Sequence, residues 1–315
     1  MRALPTPQQL RYLLALDETQ HFGRAAQLCT VTQSTLSAGI IQLERQLDAR
    51  ILDRQAGKNV VFTALGHDLV QHARTAMAAL EGIADVADAA RAPLGGPLRL
   101  GVIPTIGPFL LPRLMPALRE IFPHMRLHLR EELTGRLTDW LEEARIDAAL
   151  LALPCACGSA STVPVARDEF LATLPRGHKL AARARVPAAA LARERLLLLE
   201  DGHCLRDQAL EVCGQHGLGH AEASEDYAAT SLHMLVQMVA SGMGVTLLPR
   251  LAVEGGIATG LAIEVRPLSG AGAWRTIGLA WRPNAPRAAE YRALVPLVQA
   301  ACAARVSSGI AGGVG

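Results

Sequence analysis

The 315-residue sequence predicts an α/β protein that carries a helical N-terminal module. From Leu98 onward, short apolar runs that suit strands alternate with amphipathic segments that suit helices, which favours an α/β architecture with mostly parallel sheets. Before that point, residues 1–62 carry short helical patterns and tight turns, and residues 63–91 carry one unbroken helical pattern. Between these parts, residues 92–97 contain two prolines and two glycines, which is typical of a hinge.

The composition indicates a folded globular protein and argues against several kinds of partner. Hydrophobic residues make up 50% and charged residues 19% of the chain, which is ample for folded cores. Aromatic residues are only 3%, which argues against a platform that stacks single-stranded nucleic acid, and the net charge of +2 indicates no partner. We find no apolar run long enough for a membrane span and no signal-peptide core, so we expect a cytoplasmic protein without a membrane partner. The small residues of 306–315 predict a flexible tail.

Residues 1–62 contain a helix-turn-helix pattern. Ala25 and Ala26 are small, as close helix crossing requires, and Thr32 is a typical N-cap for a second helix. The apolar residues of that helix form one stripe: Leu36, Ile40, Leu43 and Leu47. Its other face begins with side chains that can bind phosphates or base edges: Gln33, Ser34, Thr35 and Ser37. The pattern alone also fits a helical hairpin with a solvated polar face.

A wing is expected after this second helix. Val60–Phe62 suits one strand of a β-hairpin, and Arg54 and Lys58 would lie where that hairpin meets the phosphate backbone. The first 62 residues carry seven basic and five acidic residues, so charge alone does not establish DNA binding.

The long helical pattern over residues 63–91 starts at Thr63, a plausible N-cap. Its apolar residues alternate at steps of four and three, the 3.5-residue period of a coiled-coil seam. The seam residues are Leu69, Ala73, Ala76, Leu80, Ile83 and Ala87. We interpret the stripe as a dimerisation surface that brings two helix-turn-helix modules to adjacent DNA half-sites. The alternative is that the stripe packs on the rest of its own chain.

The six cysteines, at positions 29, 155, 157, 204, 213 and 302, are too sparse for a disulfide scaffold, so we expect free thiols. Cys204 follows a strand and a turn, so it would lie in the first turn of a helix, which favours the reactive thiolate. His203 and Arg206 add nearby donors. The alternative for Cys204 is an inert buried thiol.

Cys213 lies nine residues after Cys204. On one helix their Cα atoms would be roughly 13 Å apart, whereas a disulfide needs roughly 4.4–6.8 Å. Either the segment is not one helix, or a disulfide must break it. Cys155 and Cys157 form a C-x-C pair that could take part in thiol exchange, although ordinary thiols in or beside a loop are the simpler expectation.

The N-terminal residues resemble the winged helix-turn-helix of LysR-type transcriptional regulators. The resemblance is carried by Ala25-Ala26, Val31–Ser37, Leu43-Glu44, Leu52–Arg54 and Phe62–Gly66. It implies binding to double-stranded operator DNA, a linker helix at residues 63–91, and dimers that assemble into tetramers. It also implies that residues 98–305 form a two-lobed α/β regulatory domain like that of periplasmic binding proteins. Lobe I would cover about 98–166 and 269–305, and lobe II about 167–268.

The cysteine segment is similar to that of the hydrogen-peroxide-sensing members of the same family. The matching residues are Leu198–Ala209 with Cys213, Gly101–Pro108, Ala229–Leu232 and Arg275–Leu279. This resemblance implies that Cys204 reacts with peroxide and that Cys213 is its disulfide partner. It implies a peroxide pocket that includes Thr105, Thr134, His203, Asp207 and Arg275.

The leading hypothesis is therefore a peroxide-responsive transcription regulator without enzyme activity, cofactor or metal. Its expected partners are promoter DNA, hydrogen peroxide, further copies of itself, RNA polymerase and cellular thiol reductants. One alternative is a LysR-type regulator that responds to a small organic ligand between the lobes. Another is a thiol peroxidase, which the DNA-binding pattern and the absence of a C-x-x-C pair disfavour.

Overall fold

A computed structural model of the chain describes residues 4–53, 60–89, 94–214, 228–269 and 273–304. The chain divides into two compact units, residues 1–90 with 143–145 and residues 91–142 with 146–315. Several sequence predictions concern residues outside the described ranges. These are the wing residues Arg54 and Lys58, the first two residues of the hinge, and the tail at 306–315.

The N-terminal unit is helical. Its helices are α1 (Pro7–Thr19), α2 (Phe22–Leu28), α3 (Gln33–Leu47) and α4 (Ala64–Ala89). Caps set the starts of α3 and α4 as the sequence predicts, because the hydroxyl of Thr32 accepts from the Thr35 N–H and that of Thr63 accepts from the Gly66 N–H. Leu36, Ile40 and Leu43 are buried in the core of this unit.

Hydrogen bonds to Glu44 and a close approach at Gly39 fix α3 within this unit. The buried carboxylate of Glu44 accepts hydrogen bonds from the backbone N–H groups of Ile51 and Leu52, which ties α3 to the chain that follows it. Leu52 then forms an antiparallel bridge with Phe62 at the base of the wing region. At Gly39 a Cβ atom would lie 2.6 Å from the Tyr12 ring, so α1 and α3 approach closely only because this residue is glycine.

The second unit alternates strands and helices. Its strands are β1 (Pro97–Val102), β2 (Arg126–Glu131), β3 (Ala148–Leu153), β4 (Ser161–Pro175), β5 (Val186–Pro187), β6 (Leu198–Leu199), β7 (Ala228–Ala229), β8 (Thr246–Pro249), β9 (Ile263–Ser269) and β10 (Trp274–Trp281). Its helices are α5 (Gly107–Ile121), α6 (Thr134–Glu142), α7 (Ala188–Leu191), α8 (Cys204–Val212), α9 (Leu232–Ala240), α10 (Arg250–Glu254) and α11 (Ala288–Ala303). This is the α/β architecture that the sequence predicts.

The main sheet has the order β2-β1-β3-β10-β4-β9-β5, with β8 also paired to β4, and β6 and β7 form a separate parallel pair. The expectation of mostly parallel sheets is wrong. Strands β1, β2 and β3 are parallel, but β10 runs antiparallel to β3 and β4, and β4 runs antiparallel to β8 and β9. The reason is that β3 and β4 run in the same direction, and β10, the last strand of the chain, is inserted between them and runs antiparallel to both.

Strand β4 is shared between two parts of the sheet. Up to Glu169 it pairs with β10, and from Phe170 onward it pairs with β8 and β9. The core of the second unit lies on both sides of this change, from Leu150 on β3 to Leu248 on β8. A residue at the change is therefore placed to contact both parts.

Candidate redox site

Cys204 is the first residue of α8. Strand β6 ends at Leu199, the chain turns through Gly202, and His203 is the N-cap of the helix. Gly202 has a φ of 91°, a left-handed conformation that side chains with a Cβ rarely adopt, which explains the glycine in this turn. Cys204 is half-buried, and its sulfur lies at the positive end of the helix dipole. The sequence predicted this first-turn position.

The thiol of Cys204 contacts a hydroxyl. Its Sγ lies 3.1 Å from the Oγ1 of Thr134, a buried residue that begins α6, 70 positions earlier in the chain. A hydroxyl can donate to a thiolate or accept from a thiol, so it suits both protonation states of the sulfur. The structure thus brings together two of the residues that the sequence analysis placed in one pocket.

Arg206 holds the start of α8 in place. Its side chain is buried, its Nε lies 2.8 Å from the Oδ1 of Asp201, and its Nη1 donates to the carbonyl of Leu199 at 3.2 Å. These bonds connect the helix to the turn and to the end of β6. The sequence predicts a donor near the thiol at Arg206, whereas in the structure its guanidinium anchors the turn that precedes α8.

Cys213 lies at the other end of the same helix, where it is the C-cap residue. It is buried, and this burial raises the pKa of its thiol to about 11. Cys204 and Cys213 are both free thiols. Of the two alternatives that the spacing left open, the structure therefore has the single helix, and a bond between the two sulfurs requires α8 to open.

Two more residues of the expected peroxide pocket, Thr105 and Arg275, are joined to each other. The guanidinium of Arg275 donates from Nη1 to the Oγ1 of Thr105 at 2.7 Å and from Nη2 to the carbonyl oxygen of Thr105 at 2.8 Å. Its Nε donates to the Oδ2 of Asp168 at 3.0 Å. Arg275 and Asp168 are both buried, so this ion pair is shielded from water.

Sequence reasoning missed Asp168. The residue lies on β4 next to the change of partners, and its second oxygen accepts from the N–H of Leu251 in α10 at 2.9 Å. Asp168 lies between the exposed charged residues Arg167 and Glu169, so nothing in the sequence distinguishes the buried carboxylate from its neighbours.

His203 and Asp207 flank Cys204 on α8. The His203 side chain does not cap the helix, and burial lowers the pKa of its imidazole, a shift that nearby Glu200 opposes. The ring is therefore neutral at neutral pH and can both donate and accept a hydrogen bond. Asp207 lies in the first turn of α8 with its side chain exposed.

The other cysteines are in different environments. Burial raises the pKa of the Cys29 thiol and raises that of Cys302 to about 11. The expectation that Cys155 and Cys157 are free thiols is wrong, because the structure joins them in a disulfide with Cα atoms 5.2 Å apart. Two positions in one turn can satisfy disulfide geometry where residues at opposite ends of a helix cannot.

Helix α3, which is expected to bind DNA, has exposed polar side chains at its start. Gln33, Ser34 and Thr35 at the start of α3 are exposed, and Ser37 is half-buried. The Oγ1 of Thr32 lies within hydrogen-bond distance of the hydroxyls of Ser34 and Thr35, at 2.9 and 2.8 Å. The hydroxyls of Thr32, Ser34 and Thr35 are thus ordered by hydrogen bonds to one another at the start of α3.

The predicted seam on α4 divides in two. Leu69 and Ala73 pack into the core of the N-terminal unit, so the first part of the stripe is used within the chain. Ala76, Leu80 and Ile83 are exposed, with Leu80 at 41% and Ile83 at 70%. The side chain of Ala87 lies outside the described residues.

Comparison with known proteins agrees with this architecture. Residues 7–67 match the bacterial regulatory helix-turn-helix protein, lysR family, and residues 91–303 match the LysR substrate binding domain. The chain belongs to the LysR family. Within that family it is 40% identical over 296 residues to the DNA-binding transcriptional dual regulator OxyR of Escherichia coli K12, covering 92% of this chain and 94% of that protein. It is 39% identical to a probable hydrogen peroxide-inducible genes activator of Mycobacterium leprae, covering 93% of each.

Solved structures of LysR-family proteins give the same result. A cysteine variant of full-length OxyR from Pseudomonas aeruginosa has a TM-score of 0.77 and 36% identity, covering 94% of this chain and 98% of that one. A hydrogen-peroxide-bound cysteine-to-serine variant of Corynebacterium glutamicum OxyR has a TM-score of 0.65 and 30% identity, covering 96% and 94%. The predicted resemblance to peroxide-sensing LysR regulators and the predicted fold class are confirmed.

Two further observations concern other kinds of site. Among the residues that the structure describes, there is no group of three or more His, Cys, Asp or Glu side chains that could hold a metal ion. Within the same ranges, no helix has the length and apolar character that crossing a membrane requires.

Proposed function

We propose that this LysR-family protein is a hydrogen-peroxide-responsive transcription regulator that is switched by oxidation of Cys204. The single observation that carries the proposal is the placement of two free thiols at opposite ends of α8, with a hydroxyl 3.1 Å from the first sulfur. The relatives named as OxyR and as peroxide-inducible activators support the same function.

The first chemical step takes place at Cys204. Its thiolate attacks one oxygen of hydrogen peroxide, the O–O bond breaks, and the other oxygen leaves as hydroxide, which takes a proton to become water. The sulfur is left as a sulfenic acid. Negative charge develops on the leaving oxygen, so the Thr134 hydroxyl, the neutral His203 ring and the Thr105–Arg275 pair are the groups proposed to stabilise it. Asp207 is proposed to support this reaction from the first turn of α8.

The second step joins the two sulfurs. The thiol of Cys213 attacks the sulfenic sulfur of Cys204, a disulfide forms and water leaves. Because Cys213 is buried with a raised pKa, it becomes a nucleophile only when α8 opens and exposes it. Oxidation therefore selects a conformation that the reduced protein does not hold, which is the requirement for a switch. Cellular thiol reductants reverse it by exchange.

The proposed output is a change in DNA binding. We assign contacts with double-stranded operator DNA to Thr32, Gln33, Ser34, Thr35 and Ser37 on α3, with Arg54 and Lys58 in the following wing. The exposed apolar residues of α4, Leu80 and Ile83, are proposed to pair two copies, which then assemble into tetramers. RNA polymerase at the bound promoter is the proposed downstream partner, and the cytoplasm is the proposed location.

The test is a footprint on operator DNA, with and without hydrogen peroxide, for the wild type and for Cys204→Ser. We expect both proteins to bind DNA when reduced, and only the wild type to change its footprint after oxidation. Cys302→Ser is the matched control, since that thiol is also partly buried but lies on α11, and it should keep the response.

A peroxide response that survives in Cys204→Ser would contradict the proposal. A footprint that changes with a small organic ligand in the Cys204→Ser/Cys213→Ser double variant would favour the ligand-responsive alternative. Sustained peroxide turnover at the rate of a dedicated peroxidase would favour the enzyme alternative.

A further inference from the structure

The disulfide between Cys155 and Cys157 lies outside the site described above. It occupies the turn between β3 and β4, which is formed by residues 154–160. The turn is closed by a hydrogen bond of 3.0 Å from the Ala160 N–H to the carbonyl of Cys157. We propose that Cys155 and Cys157 form a second thiol–disulfide redox site in the regulatory domain, which cycles with thiols independently of Cys204.

A structural role for this bond is weak. A disulfide stabilises a fold mainly by restricting the unfolded chain, and the effect grows with the length of the loop that is closed. This loop encloses a single residue, Ala156. The bond therefore adds little restraint, and its chemistry is the better reason for the pair. In a reducing compartment, disulfides that form at all are usually catalytic or redox-sensing.

The two cysteines differ in solvent exposure. Cys155 is half-exposed between the exposed residues Pro154 and Ala156, whereas Cys157 is 7% exposed and packs against the core. Thiol–disulfide exchange requires the incoming thiolate to reach one sulfur in line with the bond. Cys155 is the accessible sulfur, so it receives the attack and Cys157 leaves.

A thiolate of a cellular dithiol attacks the Sγ of Cys155, the S–S bond breaks, and Cys157 leaves as a thiolate that takes a proton. The second thiol of the dithiol then attacks the sulfur that the dithiol contributes to the mixed disulfide. This attack releases Cys155, which also takes a proton. The pair gains two electrons and two protons, and the dithiol becomes a disulfide. An oxidised disulfide of the same class drives the reverse reaction.

The cysteine pair follows a strand that is paired with the strand of Arg275. Leu153, the last residue of β3, is paired with Thr276 on β10, the residue that follows Arg275. The pair of cysteines begins two positions after Leu153. Opening the bond frees the turn next to the strand that carries the Arg275 guanidinium. The proposal extends beyond peroxide sensing and stands whether or not Cys204 is the sensor.

The sequence makes the test direct, because trypsin separates the cysteines. Cys155 and Cys157 lie together in residues 146–167, Cys204 lies in 196–206, and Cys213 lies in 207–250. The full-length protein with Cys204→Ser and Cys213→Ser is equilibrated with oxidised and reduced dithiothreitol at a series of ratios and then alkylated in urea, so that buried thiols also react. The protein is digested with trypsin, and the masses of the peptides are measured. The double variant prevents exchange with the other proposed site.

We expect the 146–167 peptide to carry two alkyl groups at reducing ratios and none at oxidising ratios, with a midpoint between them that is the same from both directions. The peptides with Cys29 and Cys302, residues 25–45 and 293–305, serve as internal controls with one alkyl group throughout. A bond that persists in reduced dithiothreitol alone, or that never forms in the oxidised reagent, overturns the proposal. Because each site is read in a separate peptide, failure here leaves the wild-type Cys204 result unaffected.

Discussion

Cys204 and Cys213 lie at opposite ends of one helix, the first as its first residue and the second as its C-cap. Nine residues of helix place their Cα atoms roughly 13 Å apart, about twice the distance that a disulfide allows. The reduced conformation therefore prevents the bond that the proposed function requires.

The hydroxyl of Thr134 is predicted to assist the reaction of Cys204. Thr134→Val removes the group that lies 3.1 Å from the sulfur and keeps the shape of the side chain. A hydrogen bond to a charged group contributes roughly 1.5–3 kcal/mol, so we expect the second-order rate of Cys204 oxidation to fall about tenfold to a hundredfold. The rate is measured by trapping the sulfenic acid at successive times.

Thr138→Val is the matched control for this variant. Thr138 is also buried on α6, and its hydroxyl donates to the Gly135 carbonyl of its own helix. It should leave the oxidation rate within about twofold of the wild type. Equal rates for Thr134→Val and the wild type would refute the role of Thr134.

Asp168 is predicted to stabilise the regulatory domain through Arg275. Asp168→Asn leaves a buried guanidinium without its carboxylate, which typically costs about 3–5 kcal/mol of unfolding free energy. Glu169→Gln is the control, because Glu169 pairs with Arg250 at the surface, where such pairs contribute at most about 1 kcal/mol. Urea unfolding of the two variants measures the difference, and similar losses in both would contradict the assignment.

The thiol of Cys213 is predicted to be unreactive in the folded protein. Its pKa of about 11 lies above the roughly 8.5 of a free thiol, so the folded state favours the protonated form. Stability from this burial is present below the unfolded pKa and is lost as pH rises towards 11. Iodoacetamide at neutral pH should therefore modify Cys204 well before Cys213.

The pH dependence checks this explanation. Modification of Cys213 should accelerate as pH rises through the range between 8.5 and 11. It should also become as fast as that of Cys204 when the protein is unfolded in urea. Rapid labelling of Cys213 in the folded protein at neutral pH would show that the thiol is not buried.

Leu80 and Ile83 are predicted to hold two copies together through α4. Replacing both with Asp places charges in an apolar contact, which should shift the protein towards monomer by at least tenfold in its dissociation constant. The change is measured by sedimentation at several concentrations. Gln71→Asp, an exposed position on the same helix outside the predicted seam, is the control. An unchanged assembly in the double variant would exclude this surface.

The position of Cys204 could be predicted from the sequence because its causes are local. A strand, a turn with glycine and a helix start occupy consecutive residues, and the first-turn position follows from them. The caps at Thr32 and Thr63 are predictable for the same reason, since each bonds within three residues. Local patterns of this kind carry their own physical explanation.

Asp168 and the direction of the strands could not be predicted in this way. Asp168 and Arg275 are 107 residues apart, and only the antiparallel pairing of β4 with β10 brings them together. Leu69 and Ala73 fit a coiled-coil period, yet they pack into the hydrophobic core of the N-terminal unit, where α4 contacts α1. Periodicity identifies an apolar face, but it does not identify what covers that face.

The central claim is tested most directly by mapping disulfides in the wild-type protein after one equivalent of hydrogen peroxide. Free thiols are alkylated in urea, so that buried thiols also react, and the protein is digested with trypsin without reductant. We predict that peptides 196–206 and 207–250 are recovered joined through Cys204 and Cys213, and that reduction separates them. Recovery of the two peptides unlinked, with Cys213 still alkylated at full occupancy, would contradict the account.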